Sequence, residues 1–331
     1  MKKLVLFLLV ITVFYSCQTA VDYVNQGKSN IATQNYEEAI ANLTKATELN
    51  PDFPEAHYLR GYLRSMQNDH NGAIADYTKA IELQSDYTIV YCGRGDAKAV
   101  LKDYYAAIAD YTKAIELKPD EALAYYSRGC SKANLKDHLR AIADYTKAIE
   151  LKPEYSFAYN LRGVSKAKVN DLEGAIKDHN KAIEIKSDYA DAYYFRANSK
   201  KKLGIPFVSD YTKAIELKPN YPEAYYFRGG SKSRSKDYYG AIADYTKAIE
   251  LKPDNAEAYY FRGYAKASLN DHGGAIGDYT KAIELKPDYL DAYLNRANSK
   301  KTLGNSFCSD YKKACELGDP QSCDCHNADC I

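Results

Sequence analysis

The 331-residue chain carries 45 Lys and Arg against 44 Asp and Glu, is 46% hydrophobic, and holds 33 tyrosines and no tryptophan. A balance this close to neutral lacks the single-sign excess with which nucleic-acid binders and polybasic membrane-surface proteins meet phosphates, so both classes fall away. Gly and Pro, at 18 and 10, are too few for a low-complexity chain, and the sequence should be ordered.

Met1-Lys2-Lys3 followed by the apolar run Leu4 to Tyr15 has the charged start and short apolar core of an export signal, too short to span a bilayer. Phe14-Tyr15-Ser16-Cys17 resembles the lipobox of bacterial lipoproteins, with Phe14 where Leu is usual. That resemblance implies a signal peptide over 1–16, diacylation of Cys17 and a lipid-anchored link over 17–19. Gln18, which is not Asp, further implies an outer-membrane lipoprotein of the bacterial envelope facing the periplasm. Ordinary secretion with an unmodified Cys17 is the alternative. Either route leads to an oxidising compartment, where cysteines become candidates for disulfides.

Self-similarity dominates the rest of the chain. Asp-Tyr-Thr-Lys-Ala-Ile-Glu-Leu recurs with its Asp at 76, 110, 144, 210, 244 and 278, with variants at Asn42, Asp178 and Asp310, at spacings of 34 or 32 residues. Each unit reads as two amphipathic helices, for example Ala122 to Leu135 and Leu139 to Leu151, joined by a turn at Lys136-Asp137-His138 and closed by Pro153. Tyr125-x2-Arg128-Gly129, then Ala141-x3-Tyr145-x2-Ala148 and Pro153, resembles the tetratricopeptide repeat. The resemblance implies an all-α, right-handed superhelical solenoid of nine helix-turn-helix repeats over 20–318, starting near 20, 54, 88, 122, 156, 190, 222, 256 and 290. The units starting near 190 and 290 are short, with Phe207 and Phe307 reaching the slot that Ala141 fills elsewhere. A ring in place of a methyl predicts local irregularities at 203–209 and 303–309.

Recurrence at a fixed helical phase marks packing. Fifteen tyrosines fall in two such slots, typified by Tyr125 in the first helix and Tyr145 in the second, and His57 and His179 substitute in the same slots. Arg60 and its equivalents recur in step with Asp76 and its equivalents, and the first unit lacks both, having Gln26 and Asn42. That concerted change predicts an Arg–Asp pair inside each hairpin. Lys147 and Glu150, three apart, read as a solvated face.

A third tyrosine slot lies one residue after the first-helix ring, about 100° around the helix: Tyr58, Tyr126, Tyr194, Tyr226 and Tyr260, continued four residues on by Tyr62 and Tyr264. The resemblance implies that this stripe lines the concave face, where an unidentified protein or peptide partner would lie. Packing between neighbouring repeats is the competing use of the same rings. Tetratricopeptide domains that grip chaperone carboxylates carry Lys and Asn here, which Tyr126, Cys130, Asn160 and Val164 do not reproduce.

Five cysteines crowd the end of the chain: Cys308, Cys315, Cys323, Cys325 and Cys330. Ala314-Cys315 to Cys323 resembles half of a Sel1-like repeat, which implies a Cys315–Cys323 disulfide holding a cap over 319–331, with Asp319 and Pro320 opening its helix. A metal site using Cys323, Cys325, His326 and Cys330 is the competing reading. The chain carries no phosphate loop, no Gly-x-Ser-x-Gly and no His-Glu-x2-His motif, and no cofactor is expected. The expected function is thus a non-catalytic protein-interaction scaffold, attached to the membrane through the N-terminal lipid only and without a nucleic-acid partner. The alternatives are a metal- or thiol-binding protein acting through its tail, or a binder of envelope glycan.

Overall fold

The structure, a computed structural model, describes residues 19–329, with side chains through residue 324. The export signal over 1–16, the lipidation site Cys17, Cys330 and the side chains of Cys325 and His326 lie outside the described residues. The chain divides into two compact units, ending at Asp178 and beginning at His179. The first holds a helix over residues 19–32 (α1), then α2 (Tyr36–Leu49), α3 (Pro54–Met66), α4 (His70–Leu83), α5 (Thr88–Val100), α6 (Tyr104–Leu117), α7 (Ala122–Asn134), α8 (His138–Leu151), α9 (Ser156–Lys168) and the start of α10 (Leu172–Ile185). The second continues with α11 (Ala190–Lys202), α12 (Val208–Leu217), α13 (Pro222–Arg234), α14 (Tyr238–Leu251), α15 (Ala256–Ser268), α16 (His272–Leu285), α17 (Leu290–Thr302), α18 (Cys308–Glu316) and α19 (Pro320–Asp329). Among the described residues there is no strand, and no helix is long and apolar enough to cross a membrane.

Six of the hairpins are shaped by one turn chemistry. The first helix ends on a residue in the left-handed region, such as Lys136 at φ 63°, and the next residue caps the second helix, as Asp137 Oδ1 accepts from the Arg140 backbone N–H at 3.2 Å. Asp137 N–H reaches back to the Lys132 carbonyl at 3.0 Å, which satisfies a carbonyl at the end of α7. Asp69, Asp103, Asp171, Asp237 and Asp271 repeat the cap.

Inside five hairpins the second-helix tyrosine lies against a glycine of the first; Ala197 and Ala297 take the glycine slot in the short repeats and His179 the tyrosine slot in another. Tyr111, Tyr145, Tyr245 and Tyr279 are buried, and a Cβ built on Gly129 would come within 2.8 Å of the Tyr145 ring. Such an approach leaves no room for a methyl, so Gly129→Ala is expected to destabilise by about 1–3 kcal/mol, as overpacked cores do. Gly277 is the opposite case: it sits exposed in the interior of α16 with nothing within 4 Å of an added Cβ. Gly277→Ala should therefore stabilise by about 0.5–1 kcal/mol. Urea unfolding of the two variants checks both signs.

The first-helix ring slot is less buried than recurrence suggested. Tyr125, Tyr159, Tyr193, Tyr225, Tyr259 and Tyr293 are half-buried, each beneath the arginine three residues on, with guanidinium carbons 5.1–5.6 Å from the ring centres. Of this slot only Tyr91 and His57 are buried among the described rings.

The short repeats are irregular where expected, for a different reason. α12 and α18 run for 10 and 9 residues against 14 in the other second helices from α2 to α16, because their first turn is absent. Gly204 and Gly304, at φ 71° and 69°, make the left-handed turn, and Phe207 and Phe307 stand outside the helix at its N-cap. Phe207 therefore does not press its ring into the Ala141 slot; it fills the space of the missing turn, edge-on to Tyr211 with ring centres 5.6 Å apart.

Candidate functional site

The first helices are fixed by a buried polar ladder. In all eight hairpins that carry the pair, the arginine donates through Nε and Nη2 to both carboxylate oxygens of its aspartate, at 2.6–3.0 Å. The pairing read from the sequence is present, and it is larger than that reading allowed. A second cation four residues after the arginine, Arg64 in one hairpin and Lys98 to Lys300 in the others, meets the same carboxylate at 2.7–2.9 Å. The remaining guanidinium nitrogen donates to a side-chain oxygen of the preceding hairpin, as Arg128 Nη1 does to Thr112 Oγ1 at 3.1 Å. Each arginine thus ties its own hairpin and orients the one before it.

Asp76 shows the electrostatic consequence. Burial alone would raise its carboxyl, but contacts from His57 and Arg60 and the charges of Arg60 and Arg64 outweigh that and hold it below the ordinary 3.8. With a folded value below the unfolded one, its contribution is fully present above the unfolded value and is lost as pH falls through the folded value. The stability gap between wild type and Asp76→Asn should thus be largest near about pH 6 and shrink below about pH 4, which urea titrations at the two pH values measure.

Within each unit, successive first helices touch one another: α3, α5, α7 and α9 in the first, α13, α15 and α17 in the second. They share a face on which residues three and seven positions apart align. In the first unit that face presents Ile89, Leu123 and Phe157, 54%, 49% and 44% exposed, on α5, α7 and α9. The corresponding residues of the other repeats from α3 onward are Glu55, Asp191, Glu223, Glu257 and Asp291. Beside them, Asp96 accepts from the Tyr111 hydroxyl at 2.7 Å, and burial raises its carboxyl. Asp96 and Cys130 both line a pocket of about 410 Å3. Cys92 and Cys130 are free thiols; burial pushes Cys92 up to about 12 and raises Cys130 too, so neither is an activated nucleophile.

The predicted tyrosines divide. Tyr62 and Tyr264 are 43% and 44% exposed and so available to a partner. Tyr58, Tyr126, Tyr226 and Tyr260 are half-buried against rings of their own or the next hairpin; Tyr126 lies 4.9 Å from Tyr155 and Tyr260 lies 4.9 Å from Tyr289 between ring centres. Tyr194, 9% exposed, belongs to a core cluster with Tyr211 and Tyr221 and offers a partner little surface. In the second unit Tyr226, Tyr260 and Tyr264 line a pocket of about 570 Å3 together with Lys201, Arg234 and Lys236. Those three cations and the Ile89–Leu123–Phe157 ladder escaped the sequence reading, which sought residues that recur. For the ladder and Lys201 the signal is departure from the repeat.

At the C-terminal end, Cys315 and Cys323 form a disulfide with Cα atoms 4.9 Å apart, and Asp319 caps α19 by accepting from the Ser322 N–H at 2.9 Å. Cys308 is disulfide-bonded as well. Cys323 is thereby removed from the thiolates that a tail metal site would need, and among the described residues no group of three or more potential ligands is gathered.

Stacked antiparallel hairpins, eight of them locked by the same ion pair and five by the same tyrosine on glycine, define a helical-repeat protein. Profiles of the tetratricopeptide repeat match residues 54–87, 89–121, 122–155 and 256–289, and a second TPR profile matches 27–68 and 234–270. Together they cover more than half of the chain, which belongs to the tetratricopeptide repeat family. No curated protein matches it significantly. Among solved structures it is similar to a tetratricopeptide repeat protein from Parabacteroides merdae, at 17% identity over 85% of this chain and 99% of that one, with a TM-score of 0.52. It is also similar to a chain of the APC/C hetero-tetramer Cut9-Hcn1, at 14% identity over 84% and 55% of the two chains and a TM-score of 0.58. A third likeness is to pilF of Pseudomonas aeruginosa, at 18% identity over 64% and 98% and a TM-score of 0.56. At these identities the likeness is one of fold.

Proposed function

We propose that the protein is a non-catalytic scaffold that binds a partner polypeptide along the exposed face of its first helices. The observation that carries this reading is the Ile89–Leu123–Phe157 ladder. Three large apolar side chains in consecutive repeats face solvent where five other repeats place a carboxylate, and contiguous exposed apolar surface marks contact sites. Stability gives no reason for them, since the fold accepts an acid at that position.

This suggests the test. Ile89→Glu/Leu123→Glu/Phe157→Glu installs the acidic type found in the other repeats, so the variant should fold as the wild type does. Wild-type protein used as bait in a detergent-solubilised cell extract should retain one stoichiometric polypeptide, and the triple variant should lose it. Retention of nothing, or retention that survives the variant, contradicts the reading.

We also propose that the scaffold is exported and held at the envelope, facing the periplasm, by a lipid on Cys17. The charged and apolar N-terminus and the Ser16-Cys17 motif support this, as do the disulfide-bonded Cys308, Cys315 and Cys323, which suit an oxidising compartment. Labelled palmitate should enter the wild type and not Cys17→Ala; equal labelling, or none in either, removes the anchor.

A further inference from the structure

In the second unit the shortened repeat packs α11 against α13 less closely than α13 packs against α15, and the pocket of about 570 Å3 lies along this stretch. Its charged lining is wholly cationic: Lys201, Arg234 and Lys236, with no Asp or Glu. None of the three is in an ion pair among the described residues; Arg234 Nε donates to the Gly230 carbonyl at 3.2 Å, and Lys201 Nζ stands 4.5 Å over the Phe227 ring. Burial, reinforced by the charge of Arg234, pushes Lys201 below the ordinary lysine value. Lys201 and Arg234 lie outside the Arg–Asp–cation packing code, whereas Lys236 holds the left-handed turn position of Lys102 and Lys136. The position of Lys201 holds Ala99, Ala133 and Ala167 in earlier repeats, and that of Arg234 holds Met66, Val100 and Asn134 in three of them and Lys168 and Lys202 in two. Like charges brought together without a counter-ion cost stability and focus a positive potential on the space between them.

We infer that this pocket takes an acidic segment of the partner polypeptide, with a carboxylate set against Lys201 and Arg234 and a neighbouring apolar side chain among Tyr226, Phe227 and Tyr260. The inference rests on the reading that the first-helix face binds a polypeptide. The lining holds flat rings and cations but no Asp, Glu, Asn or Gln with which to hold sugar hydroxyls, which favours a peptide over a glycan. Glu223 and Glu257, at the opposite ends of α13 and α15, repel a carboxylate and so set which way the segment lies.

A random peptide library displayed on phage, selected against the purified protein and against Lys201→Gln/Arg234→Gln, tests it. Both substitutions fall on side chains outside the core, and matched thermal unfolding establishes that the variant folds. The wild type should enrich peptides pairing Asp or Glu with an aromatic or aliphatic residue. A synthetic copy should bind the variant at least about tenfold more weakly, as should its Asp→Asn or Glu→Gln analogue on the wild type, with affinity falling as salt rises. Enriched peptides that are neutral or basic, or that bind the variant equally well, overturn the pocket assignment and leave the scaffold reading standing. Peptides selected without acids while inorganic phosphate binds saturably overturn it in favour of a phosphate site. Selection of no peptide at all sinks the scaffold reading and this inference with it.

Discussion

Replacing Asp144 with alanine is expected to cost about 3–5 kcal/mol of unfolding free energy, the largest effect of any single polar substitution in the array. The carboxylate is buried and accepts from Arg128 at 3.0 and 2.8 Å, while Lys132 approaches at 2.7 Å. Its removal leaves two cations largely out of water with no counter-charge, and that uncompensated desolvation makes up most of the cost. The guanidinium also holds Thr112 of the preceding hairpin, so the damage crosses a repeat boundary. In a stack where each repeat leans on its neighbours, losing one interface separates the melting of the flanking repeats. Urea unfolding should therefore show a lower midpoint and a broader transition. Lys147→Ala, which breaks an exposed pair with Glu150, should leave the curve unchanged. Equal effects for the two would mean that the buried pair is no more than a surface contact.

Truncation of Tyr145 to alanine is expected to be comparably severe, at about 3–5 kcal/mol, because it empties the centre of a hairpin. The ring is buried, pressed against Gly129 so closely that no Cβ fits, and packed on Tyr126 at 6.1 Å between ring centres. Neither helix can collapse into the space without breaking the Arg128–Asp144 geometry a turn away. Tyr264→Ala should change stability little, since that ring is 44% exposed. Thermal unfolding of the pair separates the tyrosines that build the fold from those available to a partner. A loss at Tyr264 matching that at Tyr145 would mean the stripe is core.

The architecture was legible because packing repeats itself. A tyrosine that meets a glycine recurs in five hairpins and an arginine that meets an aspartate in eight, and the joint absence of both ion-pair partners in the first unit makes that pairing legible in the sequence. The second cation and the threonine escaped because lysines and threonines are common enough on helices to pass for solvated residues. The sequence places the short repeats but not their cause: Phe207 aligns with Ala141, yet the first turn of α12 is absent and the ring fills its space. The contact surface was the least legible part. Its tyrosines recur because they also pack neighbouring repeats, and Tyr194 is nearly all packing. The exposed Ile89, Leu123 and Phe157 in one unit and Lys201 in the other lie where the repeat is broken. Packing writes what recurs, and recognition is written in the exceptions.

The most direct test of the scaffold account places a photo-activated cross-linking residue at single positions in the living cell. Leu123 and Tyr264 lie on the first-helix face, while Tyr105 and Tyr239, at 76% and 78% exposure, lie on second helices. Irradiation should join the same second polypeptide to positions 123 and 264 and none to 105 and 239. Adducts at 105 and 239 with none at 123 and 264 would place recognition on the second helices and contradict the account.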